Sequence, residues 1–387
     1  SDPKDCVLVT KTRLAKAVDN STIIPSIFGP IIEFASKKIP PARIAKTPII
    51  VYATAGVRLL APEQKEVVMN ATFEYLEMNA PFKVKQKYIR AIDGVEEGVY
   101  GWVSVNHLTG RILNNQPTIG ALDMGGASFQ TALELGSNQK TSSEYQIQIG
   151  KRRIRVFAHS YLGYGSNEAL KKINRVLTSV VDAGEIPNPC YNKDKRVTFG
   201  DKIMVGTGNF EKCSMLTEKL LLEESLFSDV VIPLLNKAHD FIAMSSFAYV
   251  NEFLELPSTS TLADLKKKAE GFCATSWTDL PSKVQESEYT PTYCWYSIYQ
   301  WTLLTKGYKF TDNLVKINKT NEINGADLSW TIGAMVSKIT DIEIEEKVEI
   351  PTLALAIANL IGFFVLLPLF IVSGRRSRKP LEYKAPL

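Results

Sequence analysis

Two spacings of apolar residues alternate along the N-terminal part of the chain. Residues 48–53, PIIVYA, form a short apolar, β-branched run, which predicts a strand that ends at the glycine turn TAG. From Pro62 onward, PEQKEVVMNATFEYLEM has apolar residues at helical spacing and acidic residues in its first turn, which predicts a helix. KYIRAI, around Tyr88, predicts a second short strand. Strands that alternate with helices are typical of α/β folds.

The middle of the chain continues this alternation. TIGALDMGG predicts a strand that runs into a glycine loop, and residues 142–161, interrupted by IGK, predict a β-hairpin. VYGWVSVNHL and the amphipathic NEALKKINRVLTSVV predict helices, and residues 216–270 are expected to be mainly helical. DLSWTIGAMVSKI predicts a loop that leads into a final helix. We therefore expect an α/β fold with mixed sheets.

The C-terminal region contains an apolar segment without charged residues, from Pro351 to Val372. At ~1.5 Å rise per residue this segment is long enough to cross a ~30 Å hydrocarbon core; the alternative is a buried core helix. RRSRK follows it. The positive-inside rule then predicts a cytoplasmic tail over 373–387 and an extracellular or lumenal location for everything before Pro351. The sequence thus predicts one transmembrane helix over 351–372, in contact with membrane lipid.

Composition adds two expectations. The net charge is only +4 and no basic stripe with interleaved aromatic residues is present, so we expect no nucleic-acid partner. Cysteines in an oxidising compartment suggest disulfides, and closeness in sequence favours pairing Cys190 with Cys213 and Cys273 with Cys294, although other pairings remain open. Three N-x-S/T patterns are typical of glycosylated proteins and begin at Asn20, Asn70 and Asn318.

Four glycine-containing stretches carry the candidate chemistry, and we predict a loop for each. They are ATAGVR (53–58), EEGVYGW (96–102), LDMGGASFQ (122–130) and VGTGNFEKC (205–213). Glycine lets the backbone turn sharply and lets its N–H groups converge on an anion such as phosphate. No lysine follows in a GxxxxGK pattern, which excludes a Walker loop.

The third stretch combines several useful groups. Asp123 at a strand end can hold a hydrated divalent cation, and Gly125, Gly126 and Ala127 offer backbone donors. Ser128 and Gln130 can hydrogen-bond a water molecule. Glu97, in the second stretch, is a candidate base for that water. The alternatives are a solvated turn capped by Asp123 and a glutamate that only favours a helix dipole.

These stretches resemble the apyrase conserved regions of the ecto-nucleoside triphosphate diphosphohydrolases, a family of the actin/Hsp70/sugar-kinase superfamily. In order, the second to fifth regions match ATAGVRLL (53–60), EEGVYGWVSVNHLTG (96–110), GALDMGGASFQ (120–130) and GADLSWTIGAMV (325–336). The stretches GFCATSW, YTPTYCW and GYKF are similar to the cell-surface branch of that family. The resemblance covers the chain from about Cys6 to the predicted membrane helix.

The resemblance implies a role for each matching residue. Glu97 matches the general base, and Asp123 matches the carboxylate that holds Mg²⁺ or Ca²⁺ through water. Gly126, Ala127 and Ser128 match the second phosphate-binding loop, and Ser128 and Gln130 match the residues that align the nucleophilic water. Three further positions have matches near the substrate: Thr54 beside the terminal phosphate, Trp330 packed at the active site, and Tyr299, less securely aligned, stacked on the base. The reaction implied is attack of water on a terminal phosphoryl group without a phosphoenzyme.

The resemblance also implies two RNase H-like lobes. Lobe I takes residues 1–93 with 320–349 returning to it, and lobe II takes residues 94–319. The family's first conserved region, which supplies the other phosphate loop and part of the lobe I sheet, has no match in this chain. Cys6 also lacks its family partner. We therefore expect a further segment or a separate chain to complete lobe I and to engage Cys6.

Two functions follow from this reading. The first is metal-dependent hydrolysis of the terminal phosphates of nucleoside tri- and diphosphates on the extracellular or lumenal face of a membrane. The alternative is a catalytically inactive apyrase-like ectodomain that acts as a scaffold subunit of a membrane complex. The intact set of Glu97, Asp123, Ser128 and Gln130 favours the enzyme, whereas the absent first region and unpaired Cys6 favour the scaffold.

Overall fold

The computed structural model describes residues 8, 10, 12–180, 184–223, 240–285 and 289–343. Contacts divide the chain into a unit of residues 1–337 and a second unit that begins at Lys338, and the fold below is that of the first unit. Cys6, the predicted membrane segment 351–372 and the tail 373–387 lie outside the described residues. Within the described ranges, none of the helices combines the length and the apolar character needed to cross a bilayer.

The N-terminal part folds around a pair of parallel strands. Its elements are α1 (Ile24–Lys38), α2 (Pro41–Ile44), β1 (Val51–Ala53), α3 (Ala55–Arg58), α4 (Pro62–Asn79) and β2 (Ile89–Ala91), with 3₁₀ turns at Leu14–Val18, Ser21–Ile23 and Gln86–Tyr88. β1 and β2 lie side by side, with Val51 opposite Ile89. Pro62 begins α4, where a missing backbone N–H does no harm. The apolar side of α4, including Val68 and Leu76, packs with Phe28 of α1 into one core.

The rest of the described chain is built on a larger sheet. In chain order its elements are α5 (Gly94–Leu108), β3 (Gly120–Met124), β4 (Ser128–Glu134), β5 (Glu144–Ile149), β6 (Arg152–Leu162), α6 (Ser166–Val180), β7 (Glu185–Asn188), β8 (Arg196–Phe199), β9 (Lys202–Gly206), α7 (Phe210–Glu223), β10 (Asp240–Ser245), α8 (Ser246–Phe253), α9 (Leu262–Ala274), α10 (Ser282–Gln285), α11 (Thr290–Thr302), β11 (Lys316–Lys319), β12 (Glu322–Ile323), β13 (Ala326–Asp327) and α12 (Trp330–Glu343). A 3₁₀ turn covers Trp277–Asp279, and a π-helical turn, Leu303–Gly307, follows α11.

Six strands form the central sheet in the order β11-β10-β3-β4-β6-β5. β11, β10 and β3 run parallel, whereas the β3–β4, β4–β6 and β6–β5 pairs are antiparallel. Because successive side chains of a strand alternate between faces, the sheet has two apolar faces. Ala121, Ala132 and Ile242 share one core with Trp102 of α5. The other face packs into a core with helices α6 to α9 and α11.

Most of the predicted elements are confirmed. The run 48–53 contains β1, the helix predicted from Pro62 is α4, and the hairpin predicted over 142–161 is β5 and β6, which turn at Gly150 with a φ of +57°. NEALKKINRVLTSVV lies in α6, and the final predicted helix is α12. Both predicted disulfides are present, Cys190–Cys213 and Cys273–Cys294.

Two predictions about local structure are wrong. The helix predicted for VYGWVSVNHL is confirmed as part of α5, so the overlapping stretch 96–102 is not a loop, and 53–58 includes the short helix α3. Where they are described, residues 216–270 are mainly helical, as predicted, but DFIAMS within them forms β10, which lies between β3 and β11 in the central sheet. A short, uniformly apolar run fits a buried parallel strand as well as a buried helix, so its pattern could not separate the two.

Candidate active site

Three adjacent strands place a row of polar residues on the sheet face that α5 covers. In the strand register Asp123 of β3 lies opposite Gln130 of β4, and Gln130 lies opposite Ser160 of β6. The neighbouring residues of the same face, such as Ala121 and Ala132, are buried under α5. A carboxylate, an amide and a hydroxyl therefore sit next to one another at the end of an otherwise apolar face.

The first turn of α5 carries two adjacent glutamates, Glu96 and Glu97, whose side chains point to different partners. Asp93 caps the helix by accepting a hydrogen bond from the Glu96 N–H at 2.8 Å. Glu96 points to Arg90, with 2.7 Å between its Oε1 and Arg90 Nη2. Glu97 turns instead toward the sheet and is only 7% exposed. Gly98 permits this approach, since a Cβ there would lie 3.2 Å from the Gln130 Cβ.

The side-chain amide of Gln130 connects the predicted catalytic residues. Its Nε2 donates to Ser128 Oγ at 2.6 Å, to Ser160 Oγ at 3.1 Å and to Glu97 Oε2 at 3.3 Å. The structure therefore brings together Glu97, Ser128 and Gln130, which the sequence analysis assigned to the same site. Ser160, which that analysis did not single out, completes the group.

Arg58 of α3 is a second residue that the sequence analysis missed. Its Nη1 lies 2.8 Å from Glu97 Oε2 and 3.2 Å from the Ile92 carbonyl oxygen, and its Nη2 lies 3.2 Å from Ser128 Oγ. Both partners of the Arg58–Glu97 ion pair are largely buried. The only signal in the sequence was a lone arginine in the glycine stretch ATAGVR.

The surroundings of Glu97 pull its pKa in two directions. Burial raises the pKa of Glu97, the Arg58 guanidinium lowers it, and the nearby Asp123 carboxylate adds a smaller rise, so that the resulting pKa is about 7. A carboxylate with such a pKa can accept a proton near neutral pH and release it again. The site therefore contains a candidate general base with the required strength.

The β3–β4 loop rests on the start of α6. The Gly126 carbonyl oxygen accepts hydrogen bonds from the N–H groups of Asn167 and Glu168, and the Gly125 carbonyl oxygen accepts one from Ser166. By contrast, the N–H groups of Gly126 and Ala127 find no acceptor among the described residues. These two donors can serve an anion, as the sequence analysis predicted for this loop.

Gly165 allows the loop to lie this close to α6, and this predicts the effect of Gly165→Ala. A Cβ at this position would lie 2.4 Å from the Ser128 nitrogen and 2.5 Å from the Ala127 nitrogen, so the backbone would have to move. We expect Gly165→Ala to lower phosphate release at least tenfold. Gly271→Ala, in α9, is the matched control, because nothing lies within 4 Å of its added Cβ; it should keep full activity and be neutral or stabilising by about 0.5–1 kcal/mol. Equal activity of both variants would contradict the packing argument.

The three remaining predicted residues differ in position. Thr54 directly precedes α3, and its carbonyl oxygen accepts a hydrogen bond from the Arg58 N–H, so it lies one turn from the site. Trp330 begins α12 and packs with Ile92 and Tyr100, next to the start of α5. Tyr299 does not occupy a binding surface: it is fully buried, stacks on Trp295, and its hydroxyl donates to the Tyr164 carbonyl oxygen. The assignment of Tyr299 as a base-stacking residue is therefore not supported, because neither face of its ring is open.

A sequence profile of the GDA1/CD39 (nucleoside phosphatase) family matches residues 9–351. The chain belongs to this family. The resemblance to apyrases that the motifs indicated is thereby confirmed.

Curated members of the GDA1/CD39 family are similar to this chain at moderate identity. Nucleoside-triphosphatase ntp-1 of Caenorhabditis elegans is 26% identical, over 87% of this chain and 67% of the relative. Ectonucleoside triphosphate diphosphohydrolase 1 of Bos taurus is 29% identical, over 88% of this chain and 75% of the relative. Nucleoside-diphosphatase mig-23 of C. elegans is 28% identical, over 79% of this chain and 65% of the relative. The chain thus spans about two thirds to three quarters of the length of these relatives.

The fold is similar to that of a solved structure of nucleoside triphosphate hydrolases from Neospora caninum, with a TM-score of 0.64 over 83% of this chain and 78% of that chain. Sequence identity to this structure is 15%, so the likeness concerns the fold alone. The predicted mixed α/β class is confirmed, while the division into lobes at residues 93 and 319 stays a prediction.

The donor set at Asp123 fits a water-mediated divalent cation. Asp123 is buried at the end of β3, next to β10. Burial raises the pKa of Asp123, and the Ser245 hydroxyl partly offsets this rise. The described residues hold no cluster of three His, Cys, Asp or Glu side chains that could bind a metal directly. Mg²⁺ usually keeps several waters and needs only one or two carboxylates, which suits this site.

Proposed function

We propose that the protein hydrolyses the terminal phosphates of nucleoside tri- and diphosphates with the help of Mg²⁺ or Ca²⁺. The observation that carries this proposal is the buried cluster of Glu97, Arg58, Ser128 and Gln130 beside two loop N–H groups without protein acceptors. Membership of the nucleoside phosphatase family supports it, as do the names of the similar triphosphatase and diphosphatase.

The cluster suits hydrolysis by direct attack of water. The N–H groups of Gly126 and Ala127 would bind oxygens of the terminal phosphate, and Ser128 with Gln130 would hold the attacking water. Glu97 Oε1 or Oε2 accepts a proton from that water while its oxygen bonds to phosphorus, and the bond from phosphorus to the leaving oxygen breaks. Asp123 would hold the cation through water, and the cation, when bound, supplies neutralisation of phosphate charge.

We further propose that the protein works on the extracellular or lumenal side of a membrane. The two disulfides support an oxidising compartment, because such bonds are rare in proteins of the cytosol. The apolar segment 351–372 and the following RRSRK support a C-terminal membrane anchor with a cytoplasmic tail. In this proposal a segment or chain carrying the first apyrase region completes lobe I.

Phosphate release by the full protein tests the enzymatic proposal. We expect release from ATP and ADP but not from AMP, in Mg²⁺ or Ca²⁺, and loss of release in EDTA. Release that persists in EDTA would refute the metal dependence. Nucleotide binding or an unchanged fold without any release would favour the alternative, an inactive scaffold subunit.

A further inference from the structure

The side-chain amide of Gln130 faces more acceptors than it has hydrogens. An amide nitrogen carries two hydrogens, but three oxygen atoms lie close to this one. They are Ser128 Oγ at 2.6 Å, Ser160 Oγ at 3.1 Å and Glu97 Oε2 at 3.3 Å. The reverse orientation of the amide would set its oxygen against the Glu97 carboxylate, which is repulsive. The nitrogen therefore faces the cluster, and two of the three oxygens take its hydrogens.

The distances indicate which of the three oxygens receives the weakest hydrogen bond. N–H···O hydrogen bonds usually have nitrogen–oxygen distances of about 2.7–3.2 Å. Both serine oxygens lie within or below this range, whereas Glu97 Oε2 lies just beyond it and is bonded by Arg58 Nη1 at 2.8 Å instead. Glu97 Oε1 has no hydrogen-bond donor among the described residues. The Glu97 carboxylate therefore keeps an oxygen open to a water molecule.

The fold leaves space for the Ser160 hydroxyl beside Gln130. Ser160 of β6 lies opposite Gln130 of β4 in the strand register, and Gln130 is the one side-chain partner of its hydroxyl among the described residues. Gly94, the first residue of α5, packs directly on Ser160, since a Cβ on Gly94 would lie 2.1 Å from Ser160 Oγ. Glycine is less favourable than alanine in a helix, because it loses more backbone freedom. A helix start without a side chain is therefore required for the hydroxyl to remain next to the amide.

We propose that Ser160 is a positioning residue, whose hydroxyl oxygen accepts one of the two Gln130 amide hydrogens and so keeps that hydrogen away from the Glu97 carboxylate. A carboxylate that accepts fewer hydrogen bonds binds a proton more strongly. Glu97 therefore remains a base strong enough to take a proton from the attacking water, while the same contact holds the Gln130 amide in place. This inference rests on the proposed function, because that function assigns Glu97 as the base.

Ser160→Ala tests this role, because it removes the hydroxyl oxygen and little else. The amide hydrogen that Ser160 accepted then turns to Glu97, which lowers the pKa of Glu97. The acid limb of the rate profile, near pH 7 in the wild type, should move down by about half a pH unit. The rate of phosphate release at pH 6 divided by that at pH 8 should accordingly rise about two- to threefold. Arg58 and Asp123, the charged groups that also face Glu97, are unchanged in this variant.

Two further variants separate this role from a purely structural one. Ser297→Ala is the matched control: it removes a buried serine hydroxyl that bonds the Cys294 carbonyl oxygen within α11, and it should keep the wild-type ratio of rates. Gln130→Met replaces the buried amide with a side chain that has no hydrogen to donate. If Ser160 acts through Gln130, adding Ser160→Ala to Gln130→Met should change the pH dependence no further.

Chemical denaturation at pH 5 and pH 8 measures the same change without turnover. Stability should fall less between these pH values in Ser160→Ala than in the wild type, because the pKa of folded Glu97 is then closer to its unfolded value. This difference should be absent in the Gln130→Met background. An acid limb that stays in place or moves up overturns the inference, and so does a shift that persists without the Gln130 amide. If the wild type releases no phosphate but the stability difference is present, the proposed function fails and the contact is supported.

Discussion

Glu97→Gln is expected to lower phosphate release from ATP by ~10²-fold or more, which is the usual contribution of a general base. The substitution keeps the shape of the side chain and its ability to accept a hydrogen bond from Gln130, but the amide cannot take a proton from water. The effect should be on kcat at saturating nucleotide, measured by steady-state release of inorganic phosphate. Near-wild-type turnover in this variant would contradict the assignment of the base.

The neighbouring residue provides the matched control for this experiment. Glu96→Gln makes the same chemical change one position earlier, on the carboxylate that pairs with Arg90. Glutamine can also replace glutamate at the third helical position of a capping box, so the start of α5 should be preserved. We expect this variant to keep turnover within about threefold of the wild type, since the Glu96 carboxylate contacts Arg90 and Tyr100, outside the Gln130 cluster.

The pH dependence gives an independent test of the same residue. Burial raises the pKa of Glu97 to about 7, so the wild-type rate should increase as pH rises through about 7, where the base becomes ionised. The free energy of unfolding changes in the opposite direction to the rate. Between about pH 4.5 and pH 7 the Glu97 carboxyl is protonated in the folded state but not in the unfolded state. Stability therefore falls as pH rises through this range. Glu97→Gln should remove that decline between pH 5 and pH 8, as chemical denaturation at the two pH values would show.

The local patterns predicted the elements that pack on one side better than those that are buried throughout. The helix α6 and the strand β5 have clear periodic patterns, because one side of each faces solvent. β10 has no such pattern, since its residues Phe241 to Met244 are all buried. Its identity depends on pairing with β3, which is distant in the sequence. Periodicity alone does not contain that information.

The glycines of 96–102 mark a close contact between a helix and the sheet, and not the loop that the sequence analysis predicted. The glycines of 96–102 suggested a loop, whereas Gly98 lies inside α5 and permits the helix to contact Gln130. The stretch nevertheless places Glu97 in one hydrogen-bond network with Gln130 and Ser128. Close approach of helix and sheet requires a missing side chain as much as a tight turn does.

The site residues that the sequence did not reveal act through long-range contacts. Arg58 and Glu97 are 39 residues apart, so this pair forms no local pattern. Ser160 lies in the predicted hairpin, where alternating polar and apolar residues are expected, so a single polar residue there did not suggest a role in the site. Motif spacing therefore identified Glu97, Ser128 and Gln130 of the candidate site, whereas the residues that contact them from other elements could be found only from the fold.

Arg58→Met should reduce turnover at pH 7 at least tenfold and move the acid limb of the rate profile to higher pH. Burial already raises the pKa of Glu97, and the Arg58 guanidinium at 2.8 Å is the group that opposes this rise. Without that cation the carboxylate is protonated at neutral pH, so less of the base is active. Activity should recover partly above pH 8, where Glu97 ionises again. Arg58→Lys keeps the positive charge and should move the limb less.

Stability distinguishes this electrostatic role from simple packing. Leaving a buried carboxylate without its partner typically costs about 3–5 kcal/mol, but only while the carboxylate is charged. Because the unpaired carboxyl can take up a proton instead of staying charged, Arg58→Met should lose about 1 kcal/mol more stability relative to the wild type at pH 8 than at pH 5, where Glu97 is protonated in both folded proteins. Arg90→Met, which breaks the more exposed pair with Glu96, should show a small effect at both pH values. If Arg58→Met were equally destabilising at pH 5 and pH 8, with an unmoved acid limb, the arginine would be a packing residue and not the counter-charge of the base.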